Sequence, residues 1–302
     1  MGATSSNWRG VFPAVMTQFR RDGSLDLDRL VACLDRLIHA GVSGLIMLGT
    51  LGENTSLSPE EKREVLRVAV KTAAGRLPVL SGVAEYTTDL ALAQCRLAAE
   101  AGCEGLMVLP CMVYKADRRE TLVYFRTVAE QGQLPIMVYN NPIGYKVDIT
   151  PDMFAELADA ERIVAIKEST TDTRRITDIL NLVGGRYQMF CGVDDIILES
   201  IMLGCTGWVA GLVNAFPEEA VSLFQAAVDG DYKRALDLYH WFMPLLQLDT
   251  QVKLVQYIKF AMQLTGLGCE MVRPPRLPLV GEERERIEGL VRRAMATRPT
   301  LG

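Results

Sequence analysis

The sequence predicts an α/β chain folded as a (β/α)8 (TIM) barrel over residues 1–230, followed by a helical region over residues 231–302. Three observations carry this. Eight short apolar segments recur at regular spacing, amphipathic helical patterns fill the intervals, and the strand pattern stops after Asp229-Gly230-Asp231. Strands are expected at 10–16, 44–48, 78–83, 105–109, 135–139, 163–167, 187–191 and 207–210. Helix starts are marked between them: Ser58-Pro59-Glu60-Glu61 supplies an N-cap, a proline at the first helical position and acids in the first turn, and Thr150-Pro151-Asp152 repeats the device. Strands that are apolar on both faces, each followed by an amphipathic helix, require a parallel sheet covered by helices. Eight such units fit a closed barrel better than an open doubly wound sheet. Three helical stretches follow, roughly 232–247, 251–267 and 282–297, separated by Asp249-Thr250 and by the Pro274-Pro275-Arg276-Leu277-Pro278 loop.

At 302 residues and 49% hydrophobic content, the chain can bury a large core without disulfides or metal. A net charge of −5, with acids and bases interspersed, argues against a nucleic-acid surface. The seven cysteines, Cys33, Cys95, Cys103, Cys111, Cys191, Cys205 and Cys269, are odd in number, widely spaced and mostly set in apolar runs. They read as reduced core thiols of a cytoplasmic protein. With no CxxC spacing and only His39 and His240 as imidazoles, no metal site is expected. Met1 to Asn7 carries no basic patch followed by an apolar stretch, so no signal peptide is expected, and Gly2 is set aside as a myristoylation site because short Gly/Ser/Thr starts are common. No apolar run reaches membrane length, so no membrane partner is expected.

In a parallel barrel, chemistry sits at the carboxyl ends of the strands. Three ends are unusual. The second strand runs into Gly49-Thr50-Leu51-Gly52-Glu53-Asn54, where glycines flanking Thr50 and Leu51 let backbone N–H groups approach a carboxylate and the Thr50 hydroxyl can donate and accept. Alone, this could be a plain turn into a helix. The fifth ends in Tyr139-Asn140-Asn141-Pro142, placing a phenol where it could move protons or merely cap the barrel by packing. The sixth reads Ile163-Val164-Ala165-Ile166-Lys167-Glu168, and alternation puts Lys167 on the barrel-lining face with Ile163 and Ala165. Burial there disfavours the ammonium and favours a nucleophilic amine. The competing explanation is a lysine that snorkels to solvent or pairs with Glu168. Together, carboxylate-binding N–H groups, a phenol and a desolvated lysine can hold a 2-oxo acid, attack its carbonyl and move protons.

At these residues the chain resembles, over nearly its full length, the dihydrodipicolinate synthase and N-acetylneuraminate lyase family. Gly49-Thr50-x-Gly52-Glu53, Tyr139-Asn140-x-Pro142, Ile166-Lys167-Glu168 and Gly192-Val193-Asp194-Asp195 occur in the family's order and spacing. The resemblance implies a tetramer of two tight dimers and no cofactor beyond the covalent Schiff base. It implies that Lys167 forms that Schiff base, that Tyr139 transfers protons, that Thr50 and the Leu51 backbone handle the substrate carboxylate, and that Gly192 and Val209 line the site.

Three positions depart from the synthase pattern. Leu51 stands where the synthase has a second threonine. Met112, in Pro110-Cys111-Met112-Val113-Tyr114, aligns with its dimer-donated tyrosine, Tyr114 being two residues out of register; Gly144 aligns with the arginine that binds a second carboxylate. Lysine biosynthesis is therefore disfavoured. The expected partner is a small 2-oxo acid or cyclic imino acid. From one lysine adduct, deprotonating a C4 hydroxyl breaks C3–C4 and makes an aldolase, whereas removing a C3 proton and expelling the C4 hydroxyl makes a dehydratase. With a cyclic imine and loss of ammonia it makes a deaminase. Related catabolic members act on 2-keto-3-deoxy sugar acids and on 1-pyrroline-4-hydroxy-2-carboxylate, with 2-oxoglutarate semialdehyde as a product. This elimination branch is favoured because the synthase-specific groups are missing while the Schiff-base core is intact, with a pyruvate-releasing retro-aldolase as its close competitor. An inactive 2-oxo acid-binding barrel is a third reading, opposed by the intact Thr50, Tyr139 and Lys167. A phosphate-binding barrel is opposed by Asp194 and Asp195, which would repel phosphate.

Overall fold

The computed structural model describes residues 7–301; Gly2 and its neighbours lie outside them. In chain order the elements are β1 Gly10–Pro13, α1 Leu27–His39, β2 Leu45–Met47, α2 Pro59–Ala73, β3 Val79–Val83, α3 Thr88–Ala101, β4 Gly105–Val108, α4 Arg118–Gln131, β5 Ile136–Asn140, α5 Pro142–Tyr145, α6 Pro151–Glu156, β6 Ile163–Glu168, α7 Arg174–Val183, β7 Gln188–Cys191, α8 Ile197–Met202, β8 Gly207–Ala210, α9 Pro217–Val228, α10 Tyr232–Leu246, α11 Leu254–Leu264 and α12 Gly281–Ala296.

All eight expected strands form, in the order β1-β8-β7-β6-β5-β4-β3-β2. Their pairings are parallel, and β1 meets β2 where Ala14 bridges Ile46 and the Val15 N–H donates to the Ile46 carbonyl at 2.9 Å. β1 is shorter than the 10–16 stretch expected for it, ending at Pro13, although the Ala14 N–H still donates to the Ala210 carbonyl at 2.9 Å. Inside the ring, Phe12 and Phe190 meet edge to face at 5.2 Å. They fit because their neighbours are glycines: a Cβ at Gly44 would lie 2.1 Å from the Phe12 ring, and one at Gly207 would lie 2.2 Å from Phe190.

The helix starts follow their local chemistry. Ser58 forms a capping box with Glu61 at the head of α2, whereas Thr150 gives its hydroxyl to Asp152 and leaves the first N–H groups of α6 without a side-chain cap. Burial pushes the thiols of Cys33, Cys95, Cys103 and Cys191 up to about 12, and all seven cysteines are unpaired. Among the described residues, no helix is long and apolar enough to cross a membrane.

The last three helices share the barrel's core. Phe242, Leu245, Leu246 and Ile258 are fully buried in the same apolar cluster as the strands. A polar clamp fixes them to the loop after β2: the Lys259 ammonium on α11 donates to Glu53 at 2.6 Å, with both side chains fully buried. Lys259 also donates to the Met271 carbonyl at 2.7 Å and lies 4.4 Å from the centre of the Phe19 ring. The other Glu53 oxygen accepts the Arg273 N–H at 3.1 Å. The clamped loop is strained, since Leu48 and Glu53 hold φ of 58° and 52° without being glycines, each at about 1–2 kcal/mol.

Candidate active site

The carboxyl ends of β5, β6 and β7 bring the unusual groups together. Lys167 sits in ladder register between Tyr139 on β5 and Phe190 on β7, so these three side chains share the inner face. Lys167 is 6% exposed, and its ammonium nitrogen lies 3.8 Å from the centre of the Tyr139 ring. Burial lowers its pKa from the ordinary 10.5, while Asp249, Tyr145 and Asp194 pull it part of the way back. Glu168 is not its partner. That carboxylate faces the other way, accepting Asn140 Nδ2 at 3.1 Å, the Thr170 N–H at 2.8 Å and Arg175 Nε at 3.4 Å.

Gly192 is required by sterics. A Cβ there would lie 2.0 Å from Ser169 Oγ and 2.7 Å from Lys167 Cε, so any side chain would displace the lysine. Tyr139 is buried, and its oxygen accepts Asn141 Nδ2 at 3.1 Å. Burial raises its phenol pKa, which the Asn141 hydrogen bond partly offsets, so it holds its proton at neutral pH.

Thr50 and Leu51 lie in the strained loop after β2, with Leu51 buried and Gly49 next to Met107. Among the described residues, the backbone N–H groups of Thr50 and Leu51 have no protein acceptor, while Glu53 and Asn54 turn back to the Thr50 and Gly49 carbonyls. Val209 is buried in β8 opposite Phe12. Gly144 is exposed, and Met112 is half-buried.

Three residues of this region escaped the sequence reading. Tyr145 ends α5 and turns back over the barrel: its hydroxyl hydrogen-bonds Thr50, and its ring stands edge to face with Tyr139 at 5.6 Å. The available signal was Asn141-Pro142, an N-cap and first-turn proline whose single helical turn redirects the chain. Asp194, read as part of the Gly192-Val193-Asp194-Asp195 motif and as an acid repelling phosphate, is a buried clasp. It accepts Trp208 Nε1 at 3.0 Å and the Leu212 N–H at 2.8 Å; burial pushes its pKa up to about 6 against the pull of those bonds. Asp249, from the helical tail, reaches the end of β8, where a Cβ on Gly211 would lie 2.5 Å from its oxygen. Burial raises its carboxyl well above the usual range, Asp194 adds to this, and Lys167 opposes it.

The geometry has known counterparts. A model of the dihydrodipicolinate synthetase family matches residues 7–294. A 4-hydroxy-tetrahydrodipicolinate synthase of Methanothrix thermoacetophila is 32% identical over 285 residues, covering 94% of this chain and 96% of that protein. An Escherichia coli K12 protein, YagE, named as a candidate 2-dehydro-3-deoxy-D-gluconate aldolase, is 32% identical over 295 residues, covering 95% of this chain and 97% of its own. The crystal structure of YagE in complex with pyruvate superposes with a TM-score of 0.90 at 30% identity, covering 96% of this chain and 99% of that one.

Proposed function

Because the chain belongs to the dihydrodipicolinate synthetase family, and is a lysine Schiff-base lyase of the class I aldolase superfamily, we propose that Lys167 is the nucleophile acting on a 2-oxo acid or cyclic imino acid with one recognised carboxylate. The observation that carries this is Lys167 itself, buried against the Tyr139 ring with its neighbour Glu168 engaged elsewhere. Its neutral amine adds to C2, Tyr139 gives a proton to the departing hydroxyl, and the resulting iminium draws electrons from C3. The free N–H groups of Thr50 and Leu51 hold the carboxylate next to C2. Gly192 leaves room for the lysine, and Gly49 and Val209 shape the walls. The Schiff base requires no cofactor.

Elimination from C4 is the favoured outcome, giving a 2-keto-3-deoxy sugar acid dehydratase or a 1-pyrroline-4-hydroxy-2-carboxylate deaminase with 2-oxoglutarate semialdehyde as product. Asp249 supports it, because burial raises its carboxyl well above the usual range and so favours a group that can give a proton to a leaving hydroxyl or amine. Likeness to YagE, named for aldol chemistry and crystallised with pyruvate, favours retro-aldol cleavage as a second reading. Gly144, exposed and without a cation of its own, weighs against the synthase reaction. The unpaired buried thiols support a cytoplasmic setting. Exposed Tyr86, Leu90, Val113 and Tyr114 support assembly into the family's tetramer.

Product analysis separates the branches. Incubated with hydroxypyrroline carboxylates and 2-keto-3-deoxy acids, the enzyme is expected to release 2-oxoglutarate semialdehyde, with ammonia from the cyclic substrates. Pyruvate without semialdehyde would reject elimination. Tyr139→Phe is expected to slow turnover by roughly 10²-fold or more, because the phenol transfers a proton, and steady-state rates on any accepted substrate will show it.

A further inference from the structure

Deepening the reading above and resting on its Schiff-base chemistry, we propose that Tyr145 is the relay residue that joins Tyr139 to Thr50, so that the proton path is complete within one chain. The covalent step needs two proton movements, and Tyr139 alone can supply only one before it must be reprotonated. The structure places a second phenol beside it.

α5 is a single turn. Asn141 fixes it by accepting the Gly144 N–H at 2.8 Å through its side chain and the Tyr145 N–H at 2.9 Å through its carbonyl. This turn carries the Tyr145 ring back against Tyr139, and the hydroxyl onto Thr50 from 95 residues away in sequence. Each phenol lies close enough to shift the other, and burial raises both, so each keeps its proton at neutral pH and can both donate and accept. Tyr114, the other tyrosine near the mouth, is committed elsewhere. Its hydroxyl donates to Glu120 at 2.9 Å, and that carboxylate also accepts the Asp117 N–H at 2.8 Å, which ties Tyr114 to the start of α4.

The steps balance. Lys167 Nζ adds to the C2 carbonyl and one of its protons moves to the carbonyl oxygen, giving the carbinolamine; its hydroxyl then leaves as water with the Tyr139 proton. Tyr145 passes its proton to Tyr139 and takes one from Thr50, whose hydroxyl is reprotonated by solvent water. When the iminium loses its C3 proton to become the enamine, that proton returns along the same three hydroxyls. One carbonyl, one amine and one C–H have become an enamine and one water, with no oxidant or reductant required.

The test uses pyruvate in D2O, following deuterium entry at C3 by proton NMR. Tyr145→Phe keeps the ring and loses the hydroxyl, and is expected to slow maximal exchange by roughly 10²-fold while the half-saturating pyruvate concentration and the melting temperature stay unchanged. Thr50→Val is expected to slow it similarly, with little further loss in the double variant, because the two act in one chain of hydroxyls. Tyr114→Phe is expected to exchange at the wild-type rate. The relay is overturned if Tyr145→Phe exchanges at the wild-type rate, if its defect lies in half-saturation instead of maximal rate, or if Tyr114→Phe shows the slowing. Borohydride trapping keeps the two levels apart: a wild-type protein that traps pyruvate on Lys167 while Tyr145→Phe exchanges normally sinks the relay alone, and one that traps no pyruvate sinks the Schiff-base reading with it.

Discussion

Lys167→Ala is expected to lower turnover by on the order of 10⁴-fold or more, since removing a covalent nucleophile removes the reaction path and not merely an assisting group. The same variant is expected to yield no borohydride-stable adduct with pyruvate, whereas peptide mapping of the reduced wild-type protein is expected to find the added mass on the peptide containing Lys167. An adduct on another residue, or persistent adduct in the variant, would remove Lys167 from the mechanism. The pH dependence has a definite sign. Only the free amine attacks, and burial has lowered its pKa from 10.5. The trapping rate should therefore rise with pH through a midpoint below that of an ordinary lysine, and fall away as acid restores the ammonium.

Lys259→Met is expected to have the largest effect on stability. Removing one member of a fully buried ion pair leaves Glu53 charged in the interior, at about 3–5 kcal/mol. The Arg273 N–H alone is left in direct contact with that carboxylate, Arg276 standing 3.7 Å away. Thermal denaturation should show a clear fall in melting temperature, with most of it recovered in the Glu53→Gln, Lys259→Met double variant, because no uncompensated charge then remains. If the single variant melts like the wild type, the pair is not holding the helices to the barrel. A rise in the half-saturating substrate concentration should accompany the loss, since the loop that bears Thr50 is the one released.

The barrel was legible because its signals are local: β-rich runs between capped helices, repeated eight times, leave few alternatives. Lys167 was legible for a related reason, as a charge closing an apolar strand violates the local pattern and demands a cause. Residues brought in from elsewhere were not legible. Tyr145 carried no signal of its own, because its place beside Tyr139 and Thr50 depends on how a single turn of helix aims its ring. Asp249 lies in the tail, and nothing in the residues around it records that the tail folds back over β8. The pairing of Glu53 with Lys259 spans 206 positions, and no periodicity reports a contact of that range. Glu53 was visible as part of a motif, but its work is to anchor the loop.

That span also bears on the order in which the enzyme matures. A chain emerging from the ribosome presents the Thr50 loop early, yet the ammonium that pins Glu53 arrives only with α11, after all eight strands have been made. Until then the loop has two left-handed residues and no clamp to hold them. The nascent barrel can carry Lys167, Tyr139 and Tyr145 and still lack a settled loop after β2. The loop that bears Thr50 is thus among the last parts of the barrel mouth to be fixed in place.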